Sequence, residues 1–476
     1  MGGGRLSREG RASLVRVAAV LVGALALAGC VEEVAGFDPN APSSVRVTRV
    51  EGDPGSAEAP LVYGDAPVRF VFDVEVLARD GRVLDGWNGS LRVSTRPGGV
   101  ADVSGVDGIV QRNVPMVGGR ASGVVVDVTR AFGRARVWFE DVGFVPVDPA
   151  SAACANGIDD DGDGHSDHPD DFGCAFANDG DEGEGSGAAG VSDTLFFANP
   201  TLGDVQGYRS ISPLTNESVT VDRGVMVVTR VTTDGFMLTD IDSSSVARGY
   251  NHLFAFNFST PQFLRVCDEV LDIQGIVTEF FGYTELGFPS WSRIRYEDET
   301  LTPCRVPTPT SITAERLMSA AGMESLEAGL VRVDDGTIAS RFSPELAPAG
   351  SNCDLNGDGG VSFDGPEGDC SDACALDSEC SEWNQFVEFG QWSVLLAPGG
   401  PKIYVVSRDD VPDFDPYRMR GQPMRAVSGT LRHVEFLDPA WIIEPRCAAD
   451  IVVDGEPAPS NVACVEPRTG GPDEPE

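Results

Sequence analysis

Hydrophobic and polar residues alternate in a series of short runs between residues 44 and 148. A period of two is typical of a strand with one buried face and one solvated face. Gly, Asp and Pro interrupt the runs about every ten residues, as turns do in an all-β domain. The runs cover residues 45–47, 68–72, 90–93, 123–128 and 135–139. The pattern therefore predicts a β-sandwich domain over residues 44–148.

Strand-like runs return after residue 192 in two successive segments, residues 192–329 and residues 330–464. The strand-like runs of the second segment repeat the order found in the first, so we expect one β module in each segment. The runs lie at residues 224–229, 235–240, 253–258 and 266–286 of the first module and at residues 330–333, 392–396, 402–406 and 421–431 of the second.

The first module also carries a characteristic order of motifs. Asp234-Gly235-Phe236 opens its second run, and V-T-E-F-F-G-Y-T-E-L fills residues 277–286. This order resembles the OB-like module found beside catalytic domains in secreted bacterial nucleases. Residues 44–148 resemble a bacterial immunoglobulin-like module, although the Cys–Trp–Cys signature of antibody domains is missing. The resemblances imply a mainly β fold: an immunoglobulin-like sandwich followed by two OB-like β-barrel modules, with acidic Cys-rich loops between and within them.

The most acidic stretch, residues 151–181, carries carboxylates at regular spacing. Ca²⁺ takes six to eight oxygen ligands, and alternate side chains of a twelve-residue loop supply them when a glycine at position 6 allows a sharp turn. Gly164 occupies position 6. The ligands predicted for positions 1, 3, 5, 9 and 12 are Asp159, Asp161, Asp163, Asp167 and Asp170, and the carbonyl of His165 is predicted at position 7.

This spacing resembles the thrombospondin type 3 calcium repeat and shares the ligand spacing of the EF-hand. It departs from the EF-hand at position 12, where Asp170 replaces the longer bidentate Glu. The resemblance implies bound Ca²⁺. The alternative is a solvated acidic linker. Residues 182–191, rich in Gly and Glu, are predicted to be a linker.

A second acidic loop is expected inside the second module, at residues 352–382, with nine acids, no bases and four cysteines. Its opening residues, Asp354, Asn356 and Asp358, resemble the start of a dockerin calcium loop. Position 12 is Gly365, so another acid would have to substitute there. Ca²⁺ is predicted here as well.

The N-terminus predicts export. Residues 1–29 combine four Arg with a short apolar run, as a secretory signal does. Leu27-Ala28-Gly29-Cys30 resembles the lipobox of bacterial lipoproteins, which implies that Cys30 is lipidated and tethers the protein to a membrane. The alternative is an ordinary signal with a chance cysteine. Residues 30–43 would be a flexible tether, and the absence of Asp after Cys30 favours the outer membrane or the bacterial cell surface.

Composition narrows the possible partners. The net charge of −39 disfavours binding to nucleic acid, whereas another surface or secreted protein remains a possible partner. Ten cysteines besides Cys30 predict up to five disulfides in an oxidising compartment. The pairs near in sequence are Cys154 with Cys174, Cys267 with Cys304, and Cys447 with Cys464. The other four would pair among themselves or bind zinc. The tail at residues 465–476 is predicted to be disordered.

Catalytic motifs are missing from the sequence. It contains neither a G-x-S-x-G elbow nor a P-loop, and Ser166-Asp167-His168 lies inside the acidic loop without the G-D-x-N segment that nucleases of this kind use. His252 and His433 are expected to be structural. Phe254, Phe256 and Phe258 are expected to fill a barrel core. The sequence predicts a non-enzymatic surface protein. The alternative is an accessory protein of an extracellular nuclease or other hydrolase.

Overall fold

Strands make up most of the ordered structure in the computed structural model, which describes residues 41–296, 304–338, 385–386, 389–416, 418–419, 421–435, 439–453 and 464. The mainly β fold is therefore confirmed. The chain divides after Phe197 into unit 1 and unit 2. None of the helices within these described ranges is both long enough and apolar enough to cross a membrane.

Unit 1 contains two antiparallel sheets, one with the strand order β1-β2-β6-β4 and one with the order β5-β3-β7-β8, in which β9 also pairs with β7. The predicted alternating runs all fall within these strands. Their bounds are β1 (Ser44–Glu51), β2 (Val68–Leu77), β3 (Ser90–Arg96), β4 (Gly99–Ser104), β5 (Asn113–Pro115), β6 (Arg120–Thr129), β7 (Gly133–Glu140), β8 (Ala189–Val191) and β9 (Leu195–Phe197).

One hydrophobic core lies between these two sheets. Phe70 and Phe72 on β2, Val126 on β6 and Phe139 on β7 are fully buried, and the residues between them face outwards or are half-buried. Each such side chain contributes about 1.5–3 kcal/mol by leaving water. The sheets thus pack as a sandwich, and the immunoglobulin-like assignment stays a prediction.

The sandwich extends further along the chain than the alternation indicates. Strand β8 lies in the predicted linker 182–191, and β9 lies in the first residues of the predicted module 192–329. Gly190 passes so close to β1 that a Cβ there would lie 2.1 Å from the carbonyl oxygen of Val45. Strands of three residues are too short to show a period of two, which is why the sequence does not predict them.

Unit 2 begins with a closed five-stranded barrel. The order is β14-β11-β12-β13-β15, and β15 pairs back with β14; β13 and β15 are parallel, and β10 extends the sheet beside β14. The elements are α1 (Leu202–Gln206), β10 (Ser218–Val221), β11 (Met226–Val231), β12 (Gly235–Asp240), α2 (Ser243–Arg248), β13 (His252–Phe256), β14 (Glu269–Phe280) and β15 (Tyr283–Ile294).

A second closed five-stranded barrel follows, with the order β17-β18-β19-β21-β20 and closure from β20 to β17. The third and fifth strands of this barrel in chain order, β19 and β21, are parallel to each other, as β13 and β15 are in the first barrel. Both barrels are compatible with the predicted OB-like modules. The elements are β16 (Thr310–Ser311), α3 (Ala314–Leu317), α4 (Ala320–Glu324), β17 (Leu330–Ile338), β18 (Gln391–Leu395), β19 (Lys402–Val406), β20 (Pro423–Glu435), β21 (Pro439–Glu444) and β22 (Ile451–Val453).

A buried ion-pair network joins the two barrels. Arg230, on β11 of the first barrel, donates to the carboxylates of Asp410 at 2.6 Å and Glu444 at 2.7 Å in the second barrel. It also donates to the hydroxyl of Thr430 at 2.7 Å. Burial lowers the pKa of Arg230, but the two carboxylates outweigh burial and raise the pKa above its ordinary value. The guanidinium is therefore charged, and it bridges the two carboxylates.

The three disulfides predicted between cysteines near in sequence are confirmed. Cys154–Cys174 lies in the acidic segment of unit 1, and Cys267–Cys304 and Cys447–Cys464 lie in unit 2.

Candidate metal centre

The acidic loop is shaped by hydrogen bonds from its own backbone to its aspartates. Asp159 accepts from the N–H groups of Gly162 at 2.7 Å and Gly164 at 3.0 Å. Asp161 accepts from the N–H of Asp163 at 3.0 Å, and Asp163 accepts from that of His165 at 2.7 Å. Gly164 has φ +97°, a conformation that side-chain-bearing residues disfavour. The sharp turn predicted at position 6 is therefore present.

Two overlapping groups of carboxylates form around this turn. Asp159, Asp161 and Asp163 each offer an oxygen within 4.8 Å of the others, and so do Asp161, Asp171 and Glu182. Asp161 belongs to both groups. Acidic groups that could hold a metal ion therefore exist in the predicted loop, one made of exposed aspartates and one that includes two buried acids.

Asp171 and Glu182 are additions that the spacing argument missed. Both are almost fully buried, with 2% and 1% of their surface exposed. Glu182 accepts from the N–H groups of Asp160 and Asp167, which anchors it beneath the loop. One oxygen of Asp171 accepts from Gly173, and its other oxygen, Oδ2, has no hydrogen-bond partner among the residues that the structure describes. A buried carboxylate oxygen in this situation is suited to a cation.

Two of the predicted side-chain ligands, Asp167 and Asp170, are placed differently, and the carbonyl ligand at His165 stays a prediction. Asp167 has its carboxylate turned to the N–H groups of Asn156 and Gly157, and neither Asp167 nor Asp170 belongs to the carboxylate groups found among the described residues. The His165 ring packs against Phe172 with ring centroids 5.9 Å apart. The twelve-residue spacing assumes that the residue at position 12, Asp170, supplies the last ligand. In the structure the following residue, Asp171, is the one that is buried beside Asp161.

The neighbouring carboxylates disfavour the ionised form of Asp161. A backbone hydrogen bond from Asp163 lowers the pKa of Asp161, but desolvation and the carboxylates of Asp163, Asp171 and Asp159 outweigh it. The pKa of Asp161 is therefore raised above its ordinary value. A divalent cation would remove this repulsion, which is the chemistry that the arrangement supports.

The other predicted site residues lie outside the described residues. These are Asp354, Asn356 and Asp358 of the second acidic loop and the predicted lipidation site Cys30.

The first barrel departs from one expectation about its aromatic residues. Phe254 is buried in the barrel, as predicted, and Phe256 is half-buried. Phe258 is 62% exposed, because β13 ends at Phe256 and residue 258 has φ +58°. It packs against Phe288, which is 71% exposed, with ring centroids 5.0 Å apart. The expectation that Phe258 fills the core is wrong.

His252 belongs to a strand of the first barrel. It is buried on β13, and its Nδ1 lies 2.8 Å from the hydroxyl of Thr239. Burial lowers the pKa of His252 to about 4, so the ring is neutral near pH 7.

A scan of the chain against models of protein families finds no match, and a search of curated proteins finds no relative.

Proposed function

We propose that this chain is an exported, lipid-anchored surface protein that binds Ca²⁺ in its acidic loop and has a binding or structural role without catalysis. The observation that carries the calcium part is that Asp161 belongs to two carboxylate groups. One contains Asp159 and Asp163, and the other contains the buried acids Asp171 and Glu182. An array made only of carboxylate oxygens favours a hard cation. Among the hard cations, Ca²⁺ binds more protein carboxylates than Mg²⁺, which keeps several water ligands.

A disulfide and hydrogen bonds hold the loop in shape. The Cys154–Cys174 disulfide closes it, and the buried carboxylate of Asp179 accepts from the N–H groups of Val145, Ala175 and Asp181 beneath it. Organisation of this kind reduces the entropy lost on binding. Extracellular calcium modules bind with dissociation constants of roughly 10⁻⁴–10⁻³ M, so we expect occupancy to follow the Ca²⁺ concentration outside the cell.

Calorimetry and thermal unfolding of the purified chain test this role. At a hundred times the dissociation constant, one bound ion adds about 2.7 kcal/mol to the stability of the folded state. For a unit of this size we expect the unfolding midpoint to rise by about 5–10 °C. Chelator should make residues 154–184 sensitive to protease.

The matched variants are Asp161→Asn, which removes the carboxylate shared by both groups, and Asp107→Asn, which changes an exposed acid elsewhere in unit 1. Asp161→Asn should abolish Ca²⁺ uptake, and Asp107→Asn should leave it unchanged. An absence of Ca²⁺ uptake by the unmodified chain, together with proteolysis that ignores chelator, would leave the segment as an acidic spacer.

The second candidate is an accessory protein of an extracellular nuclease or other hydrolase, which would present an OB-like barrel to a substrate. The exposed pair Phe258 and Phe288 favours it, because aromatic rings on a barrel surface stack with bases or sugars. The net charge of −39 opposes contact with phosphates. In fluorescence polarisation at physiological salt we expect no binding of single-stranded DNA. Binding that is lost in Phe258→Ala and kept in Phe172→Ala, an exposed Phe of unit 1, would favour the accessory role instead.

A further inference from the structure

A separate group of metal-ligand side chains lies buried where the two barrels of unit 2 meet. Glu324 ends α4, Glu327 lies in the connection to β17, and His433 lies on β20. Each offers a ligand atom within 4.8 Å of the other two. All three are buried, with 6%, 1% and 7% of their surface exposed. The group draws on the connection between the barrels and on the second barrel itself.

Glu327 is fixed in place by the first barrel. Its Oε1 accepts from the side chain of Gln206 at 2.5 Å and from the N–H of Thr284 at 3.0 Å. Its Oε2 has no hydrogen-bond partner within the described part of the chain, and lies 3.9 Å from Nδ1 of His433. An ionised carboxylate oxygen that is buried without a partner is costly, and a cation beside it would remove that cost.

The His433 ring is oriented from two sides. It stacks on Trp441, with ring centroids 4.2 Å apart and an interplanar angle of 11°. Its Nδ1 lies 2.9 Å from the carbonyl oxygen of Gly282, to which it donates as N–H. In that tautomer the ring's lone pair is on Nε2. Histidines that bind metals commonly donate their other ring N–H to a backbone carbonyl in this way.

The surroundings of Glu327 disfavour a bare negative charge. Glu324 offers a second carboxylate oxygen within 4.8 Å of it, and both side chains are buried. One divalent ion would neutralise both carboxylates in their ionised form.

We propose that Glu324, Glu327 and His433 bind a divalent transition-metal ion with the chemistry of Zn²⁺, which fastens the second barrel to the first. An imidazole nitrogen with two carboxylate oxygens suits Zn²⁺, which is usually four-coordinate in proteins. Ca²⁺ would need six to eight oxygens and is disfavoured by the nitrogen. The site uses none of the residues of the acidic loop, so the zinc proposal can be tested independently of the calcium proposal.

Zn²⁺ binding to the full chain tests the proposal. The protein is stripped with chelator, supplied with saturating Ca²⁺ to occupy the acidic loop, and titrated with Zn²⁺ in competition with a chromophoric chelator. We expect Zn²⁺ uptake and a higher unfolding midpoint for unit 2. Glu327→Gln and His433→Gln should each weaken this binding by more than about 100-fold, the upper end of the loss on removing an outer-shell partner.

Asp161→Asn is the control variant, because it changes the acidic loop alone, and it should retain Zn²⁺ binding. The proposal is overturned if the unmodified chain takes up no Zn²⁺, or if both Glu327→Gln and His433→Gln bind it as well as the unmodified chain. A spectroscopic measurement keeps the test decisive where a variant fails to fold. X-ray absorption of the Zn²⁺-loaded unmodified chain should show oxygen ligands and a single imidazole, whereas a sulfur shell would overturn the proposal.

Discussion

Asp170 and Asp171 are neighbours in the sequence, but their side chains have different surroundings. Asp170 is exposed, whereas Asp171 is buried beside Asp161 and Glu182. We therefore expect Asp171→Asn to abolish Ca²⁺ uptake measured by calorimetry and Asp170→Asn to retain it. The reverse outcome would mean that the loop closes on the ion through position 12, as the twelve-residue spacing predicts.

His252 gives a second prediction for a single residue. Its pKa is about 4 in the folded protein and near 6.5 in an unfolded chain, so the unfolded state binds more protons between these values. The contribution of His252 to stability is therefore complete above about pH 6.5 and is lost as pH falls towards 4, by about 1.4 kcal/mol per pH unit.

A neutral replacement, His252→Asn, removes this proton uptake. Between pH 7 and pH 4.5, the unfolding midpoint of the unmodified chain should fall further than that of the variant. Equal falls would show that His252 is not buried in its neutral form. The other acidic and basic groups titrate in both the variant and the unmodified chain, so their contribution is removed when the two falls in midpoint are compared.

At the scale of elements, the sandwich depends on a strand that contains no large side chain. A Cβ at Gly190 on β8 would lie 2.1 Å from the backbone of Val45. We expect Gly190→Ala to destabilise unit 1 by about 1–3 kcal/mol, the usual cost of overpacking. Gly86→Ala is the control, because nothing lies within 4 Å of the position of its Cβ. Equal thermal midpoints for the two variants would exclude β8 from the sandwich.

The contact between the barrels gives another prediction at this scale. Arg230→Met leaves the carboxylates of Asp410 and Glu444 without their common cation. Removing one partner of a buried ion pair costs about 3–5 kcal/mol. We expect an earlier urea midpoint in tryptophan fluorescence. Arg418→Met, which breaks the exposed pair with Asp415, should leave the midpoint nearly unchanged. A midpoint for Arg230→Met equal to that of the control would contradict the role of the network.

The sequence predicts elements better than it predicts the contacts between them. Alternation marks most of the sandwich, because strands such as β2 have one buried and one more exposed face. In the first barrel, β11, β12 and β13 are buried almost throughout and are found instead as short apolar runs. Alternation misses β8 and β9, which are too short to alternate. The spacing of acids locates the loop around Asp159, Asp161 and Asp163. Glu182 could not be assigned to it, since its approach depends on how the chain returns past the Cys154–Cys174 disulfide.

At the scale of the whole molecule, the proposed lipid anchor at Cys30 would determine where the protein is held. Cys30→Ser should prevent incorporation of labelled palmitate and give an uncleaved or released form in cell fractionation. Removal of residues 1–29, which carry four Arg and one Glu, would leave a net charge of about −42. Labelling that persists in Cys30→Ser would rule out the lipid anchor. The matched control is Ser43→Ala, which changes a residue at the end of the predicted tether.

The shared strand order of the two barrels bears on how this chain came to have its present length. Strands β11 and β12 of the first barrel are joined by residues 232–234, whereas residues 339–390 separate the equivalent strands β17 and β18. Two barrels of one topology are what duplication of a single ancestral module would produce. The short hairpin of the first copy shows that closure needs only three residues at this point. The connection between the first two strands of the barrel is thus a position where residues can be inserted with little loss of stability, since lengthening a loop costs little entropy.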